Sequence, residues 1–100
     1  MPKLNMKVDH HLPQVEALRR VQGLLGQVKT QFADKISELR EEWNGDTGKF
    51  SFLAMGFSVS GTLSVTDNAV EIDGKLPFAV GFFKGKIEST IRERAEQLLA

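Results

Sequence analysis

Residues Phe57 to Val65 alternate without a break between apolar or small side chains (Phe57, Val59, Gly61, Leu63, Val65) and hydroxyl side chains (Ser58, Ser60, Thr62, Ser64). A sustained period of two fixes an extended strand with one buried and one hydrated face. That is the habit of an antiparallel sheet, because strands of a parallel sheet are covered on both faces. The neighbouring segments share the period. Phe50, Phe52 and Ala54 alternate ahead of Gly56. After a turn at Thr66–Ala69, Val70, Ile72, Gly74 and Leu76 alternate with Glu71, Asp73 and Lys75. At the start of the chain Leu4, Met6 and Val8 alternate with Lys3, Asn5 and Lys7.

Two stretches switch to the helical period. Val15, Leu18, Val21, Leu25, Val28 and Phe32 predict a helix over 13–35, with Pro13 in its first turn and Glu16 where negative charge suits the helix dipole. Gly23 and Gly26 inside it each cost about 1 kcal/mol relative to alanine, which implies close packing of helix on sheet, with a hinge as the alternative. Phe83, Ile87, Ile91, Ala95 and Leu98 predict a C-terminal helix, flanked by the charge pairs Lys84–Glu88, Glu88–Arg92 and Arg92–Glu96. Ahead of a hairpin turn at Asn44–Gly48, Leu39, Glu41 and Trp43 alternate and predict a strand over 38–44. Ile36 and Leu39 also continue the helical stripe, so the helix end is ambiguous. The fold class is α+β: a single antiparallel sheet of about five strands with two helices on one face, in the order β-α-β-β-β-β-α, forming one domain over 1–100.

Composition narrows the functions. Thirteen basic and thirteen acidic side chains cancel, so the basic excess that drives phosphate-backbone binding is missing and nucleic acid is not an expected partner. The chain has no cysteine, which removes disulfides, thiol nucleophiles and thiolate metal sites. No apolar run approaches the length of a signal peptide or a membrane helix, so a cytoplasmic location is expected.

Sites for chemistry are sparse. His10 and His11 are adjacent beside Asp9, and neighbouring side chains on an extended backbone diverge, so no metal site is expected there. The serines at 58, 60 and 64 have the spacing of a sheet face and sit in no nucleophile elbow. No glycine loop has the spacing for a nucleotide. The reading is a protein that is not an enzyme, with no catalytic residue and no cofactor. One segment stands out: Leu76–Phe83 holds three of the seven phenylalanines where a polar turn is expected. Either its rings close the core or they form an apolar docking patch of Phe78, Val80, Phe82 and Phe83, rimmed by Lys84 and Lys86.

Several of these runs together resemble the polyhydroxyalkanoic acid system protein family of small bacterial proteins. They are Asp9–Pro13 with Glu16-Ala17, the turn from Trp43 to Asp46, the strand Gly56–Gly61, and Phe83–Glu88 followed by Ile91 and Leu98-Leu99. The resemblance spans almost the whole chain and departs most in the charged stretch Asp34–Glu42. It implies a setting, the storage of polyester granules, and carries over no catalytic residue.

The first functional expectation is therefore a non-catalytic accessory or binding protein associated with polyhydroxyalkanoate storage. Its partner would be the granule or a granule protein, met through the phenylalanine patch. A second is a carrier of a small hydrophobic ligand. Its element order resembles helix-grip domains, and its cavity would be lined by Phe50, Phe52, Phe57, Val59, Leu63, Ile72 and Leu25. A third is a self-associating module, a homo-oligomer built through sheet edges or the hydroxyl face.

Overall fold

The computed structural model describes residues 3–77, 81–82 and 84–100. Strand β1 (Lys3–Asp9) is followed by helices α1 (Gln14–Val21) and α2 (Leu24–Gln31). Strands β2 (Ile36–Asn44), β3 (Thr47–Ala54), β4 (Phe57–Val65) and β5 (Ala69–Lys75) come next, and then helix α3 (Lys84–Leu98). The five strands form one antiparallel sheet in the order β1-β5-β4-β3-β2. Four strands thus run as a meander, and β1 closes it by pairing with the last. The expected α+β class and the order β-α-β-β-β-β-α hold, with the first helix bent into α1 and α2. Helix α3 packs along β1 and against α2, while α1 reaches β4.

The alternating residues supply the core. Leu4, Met6, Val8, Phe50, Phe52, Ala54, Val59, Leu63, Val65, Val70 and Ile72 turn inward and pack against Ala17, Val21, Leu24, Leu25, Val28, Ile91 and Ala95 of the helices. Phe57 departs from the pattern. At the first position of β4 it is 45% exposed, because it stands opposite the small Ala54 at the open end of the sheet.

The first helix is interrupted at Gln22–Gly23. Gly23 N–H reaches back three residues to Arg20 O (3.2 Å), and its φ of −92° with ψ of −5° stands at the margin of the right-handed helical region. Among the described residues neither Gly23 nor Gly26 serves close packing on the sheet: the one neighbour within 4 Å of a side chain at Gly23 would be Arg20 O, and none approaches Gly26. Across the break Ala17, Val21, Leu24 and Val28 keep the three- and four-residue spacing of one helical stripe and face the core, whereas Val15, two residues before Ala17, lies off that stripe and is 79% exposed.

Strand β2 begins at Ile36, two residues earlier than expected. The pairing with β3 shifts between Ser37 and Arg40, where Glu38 takes a φ of +53°. This bulge inserts one residue, so Ile36 and Leu39 both face the core despite a spacing of three. A bulged strand therefore imitates the helical stripe. The bulge and the charges of Glu38, Arg40, Glu41 and Glu42 also blunt this sheet edge. Burial raises the carboxyl pKa of Glu41, which stands opposite Phe50.

Glycines set the tightest approaches in the sheet. Gly61 of β4 pairs with Gly74 of β5. A Cβ at Gly61 would lie 2.1 Å from Asp73 O and 2.8 Å from Phe50 Cζ, so backbone and ring fill the space of a side chain. Phe50 thus covers Gly61 across the strands, and Trp43 covers Gly48 in the same way, at 2.7 Å from a hypothetical Cβ.

Polar cross-links gather at the end of the sheet that carries the β2–β3 and β4–β5 turns. His10 is buried; Leu12 N–H donates to its Nδ1 (3.1 Å), so Nε2 carries the proton and donates to Thr66 O (3.0 Å). Gln14 Nε2 donates to Asp46 Oδ2 and to Val65 O, both at 2.8 Å. Gly45, at a φ of +64°, makes the two-residue turn that presents Asp46. Arg20 joins α1 to the end of α3 by donating to Leu98 O and Ala100 O, each at 3.0 Å. The guanidinium groups of Arg19 and then Arg20 donate to Glu16 and hold its carboxyl at about 2, below its ordinary 4.5.

Two outcomes follow. Replacing Gly61 by alanine forces β4 from β5 and from the Phe50 ring, and is expected to lower stability by about 3 kcal/mol in chemical denaturation. Glu16 has its pKa depressed on folding, so its contribution is present above about pH 4.5 and is lost as pH falls towards 2. Glu16→Gln should therefore lower the melting temperature at neutral pH, with the difference from the parent closing through that acid window.

Candidate functional site

The opposite end of the sheet is open. There the sheet and helices α2 and α3 part around a cavity of about 290 Å3. Its floor is the ring pair Phe50 and Phe52 on β3, with centroids 6.1 Å apart and planes 13° from parallel, next to Val59 of β4 and Leu4 of β1. Leu25, Val28 and Phe32 form one wall, and Ile87, Thr90 and Ile91 of α3 form the other. Thr90, 7% exposed, contributes the one hydroxyl among the described lining residues. The mouth is made by Lys35, Ile36, Met55 and Lys86.

Volume decides how this space should be regarded. At about 24 cal/mol per Å3, a closed void of 290 Å3 would cost about 7 kcal/mol, comparable with the whole stability of a small domain. Opening to solvent reduces that figure but leaves apolar walls against water. A chain of 100 residues gains nothing structural from such a gap, whereas a guest recovers the lost contacts.

Backbone strain is found at the same place. The β3–β4 hairpin turns through Met55 and Gly56, both at positive φ (+52° and +85°). Two consecutive positive φ values favour Asn-Gly, and an unbranched apolar side chain is unusual at the first of them. Met55 N–H donates to Lys35 O at 2.7 Å, which ties the hairpin to the start of β2. Its side chain, 47% exposed, borders the cavity. Local turn preference is thus overridden where an adaptable apolar side chain meets a hydrophobic opening.

The candidates read from the sequence fall in several places. Phe50, Phe52, Val59 and Leu25 line the cavity. Leu63 and Ile72, each 1% exposed, belong to the packed core further along the sheet and do not border it, and Phe57 lies outside it as well. Of the phenylalanine segment, Phe82 is 94% exposed. Lys86 is at the cavity mouth, whereas Lys84 pairs with Glu88 at 3.8 Å. Phe78, Val80 and Phe83 lie outside the described residues. Met55, Lys35 and Thr90 went unnoticed in the sequence. The signal for Met55 was its place before Gly56 between two alternating runs; Lys35 and Thr90 gave none.

A second depression, about 470 Å3, is shallower and more open, bordered by Gly23, Gly26, Gln27, Thr30, Gln31 and Arg94. Arg94 Nε donates across it to Gln31 Oε1 (3.0 Å). Among the described residues no three His, Asp or Glu side chains converge as metal ligands, and no helix is long and apolar enough to cross a membrane.

The family model for "Putative polyhydroxyalkanoic acid system protein" matches residues 4–99. The chain belongs to this polyhydroxyalkanoic acid system family. The match runs from the first inward residue of β1 to the last buried leucine of the C-terminal segment, so the sheet, the helices and the cavity all lie within it. Comparison with curated proteins and with solved structures gives no match.

Proposed function

We propose that this protein is a non-catalytic binding protein of the polyhydroxyalkanoate system, which takes an apolar chain into the cavity between β3, β4, α2 and α3. The cavity carries the reading: its walls are aliphatic and aromatic, it opens at one end, and the polar cross-links lie at the other. Sites for small apolar ligands have this form, a hydrophobic recess with few polar groups. The family membership supports polyester storage as the setting. The exposed side chains of Met55 and Phe57 on the β3–β4 hairpin, and of Phe82 two residues ahead of α3, support contact with a polyester granule, because they leave large apolar groups in water close to elements that line the cavity.

Titration of the isotopically labelled protein with 1-octanol, followed by NMR, tests the reading. Saturable shifts are expected at Phe50, Phe52, Val59 and Thr90, with Ala54→Leu weakening binding by filling the recess while the remaining spectrum reports an intact fold. Shifts scattered over the surface, or none, would contradict a binding cavity. In the same preparation Phe82→Ser should leave octanol binding unchanged and reduce adsorption to polyester particles; unchanged adsorption would count against granule contact through this end.

A further inference from the structure

The described lining of the cavity includes two charged side chains, Lys35 and Lys86, and no acidic one. Both are exposed, and neither forms an ion pair among the described residues, although the chain as a whole carries as many acidic as basic groups. They arrive from separate elements. Lys35 precedes β2, in the turn whose carbonyl receives the Met55 N–H. Lys86 lies in the first turn of α3, one helical turn before Thr90. Lysine stems lie along apolar surface while their ammonium groups stay in water. A guest that fills the recess therefore brings its outermost atoms to two unpaired cations.

We infer that the ligand is a straight-chain monocarboxylate of roughly eight carbons, with its tail between the Phe50–Phe52 pair and α3 and its carboxylate at the mouth between Lys35 and Lys86. This rests on the cavity reading given above and adds the head group and the length. Length follows from volume: 290 Å3 holds roughly ten heavy atoms at the ~30 Å3 that a water molecule occupies in the liquid, and octanoate has that many. Head-group position follows from solvation. A carboxylate inside the apolar recess would lose its hydration with Thr90 as its only described hydroxyl partner, whereas at the mouth it keeps water and gains two ammonium groups.

Octanoate, 1-octanol and methyl octanoate, titrated separately into the full chain, test the assignment. Octanoate is expected to bind about tenfold more tightly than the two uncharged probes, as charge-assisted contacts imply. That advantage should shrink at high salt, disappear in the double variant Lys35→Gln/Lys86→Gln, and persist in Lys35→Arg/Lys86→Arg. All four substitutions are at exposed positions, and the NMR spectrum verifies the fold. If octanol binds and octanoate gains nothing, or if the preference survives the double glutamine variant, the head-group assignment is overturned and the cavity reading stands. If none of the three binds, both fail together.

Discussion

The architecture depends on one close approach: β4 and β5 pair Gly61 with Gly74, a side chain at Gly61 would run into the β5 backbone, and the Phe50 ring closes over the gap. Without side chains there, the middle of the sheet can draw together and the aromatic pair of β3 can lie down on it. The ring that covers Gly61 is also the floor of the cavity. Packing that defines the sheet and packing that floors the recess therefore meet at Gly61, beneath the Phe50 ring.

From that point the molecule divides into two unlike ends. One is cross-linked: His10 joins the end of β1 to the turn after β4, Gln14 joins α1 to the β2–β3 hairpin, and Arg20 joins α1 to the end of α3. Each of these groups finds a partner, and no buried side-chain polar atom is left unsatisfied among the described residues. The other end holds the recess, a methionine at positive φ, an exposed phenylalanine and two lysines with no ion-pair partner among the described residues. Fixing one end allows the other to remain apolar and open without loosening the sheet.

Much of the frame was legible in the sequence because it is written in local periods. The alternation of β1, β3, β4 and β5 places their inward residues, and the turn residues at Asn44–Gly48 mark a hairpin. Misreadings came where two physical causes give one pattern. The bulge at Glu38 spaces Ile36 and Leu39 by three and so counterfeits a helix. Val15, Leu18 and Val21 are spaced by three and drift around the helix, so the buried stripe runs through Ala17 and Val21 instead and leaves Val15 in water. The cavity was legible only in its floor, Phe50, Phe52 and Val59, since inward direction follows from the period. Its depth depends on how far α2 and α3 stand from the sheet, which no local pattern encodes; for the same reason Leu63 and Ile72 share the inward face and yet lie in packed core. Lys35 and Thr90 reach the cavity only through tertiary placement.

Pressurising crystals of the ligand-free protein with xenon measures the recess itself, because apolar cavities that are not filled by side chains take up the gas. Ordered xenon is predicted between the Phe50–Phe52 pair, Val59 and Ile91, with the surrounding side chains unmoved. A recess closed by Phe32 and Ile87, with no xenon in it, would contradict the account.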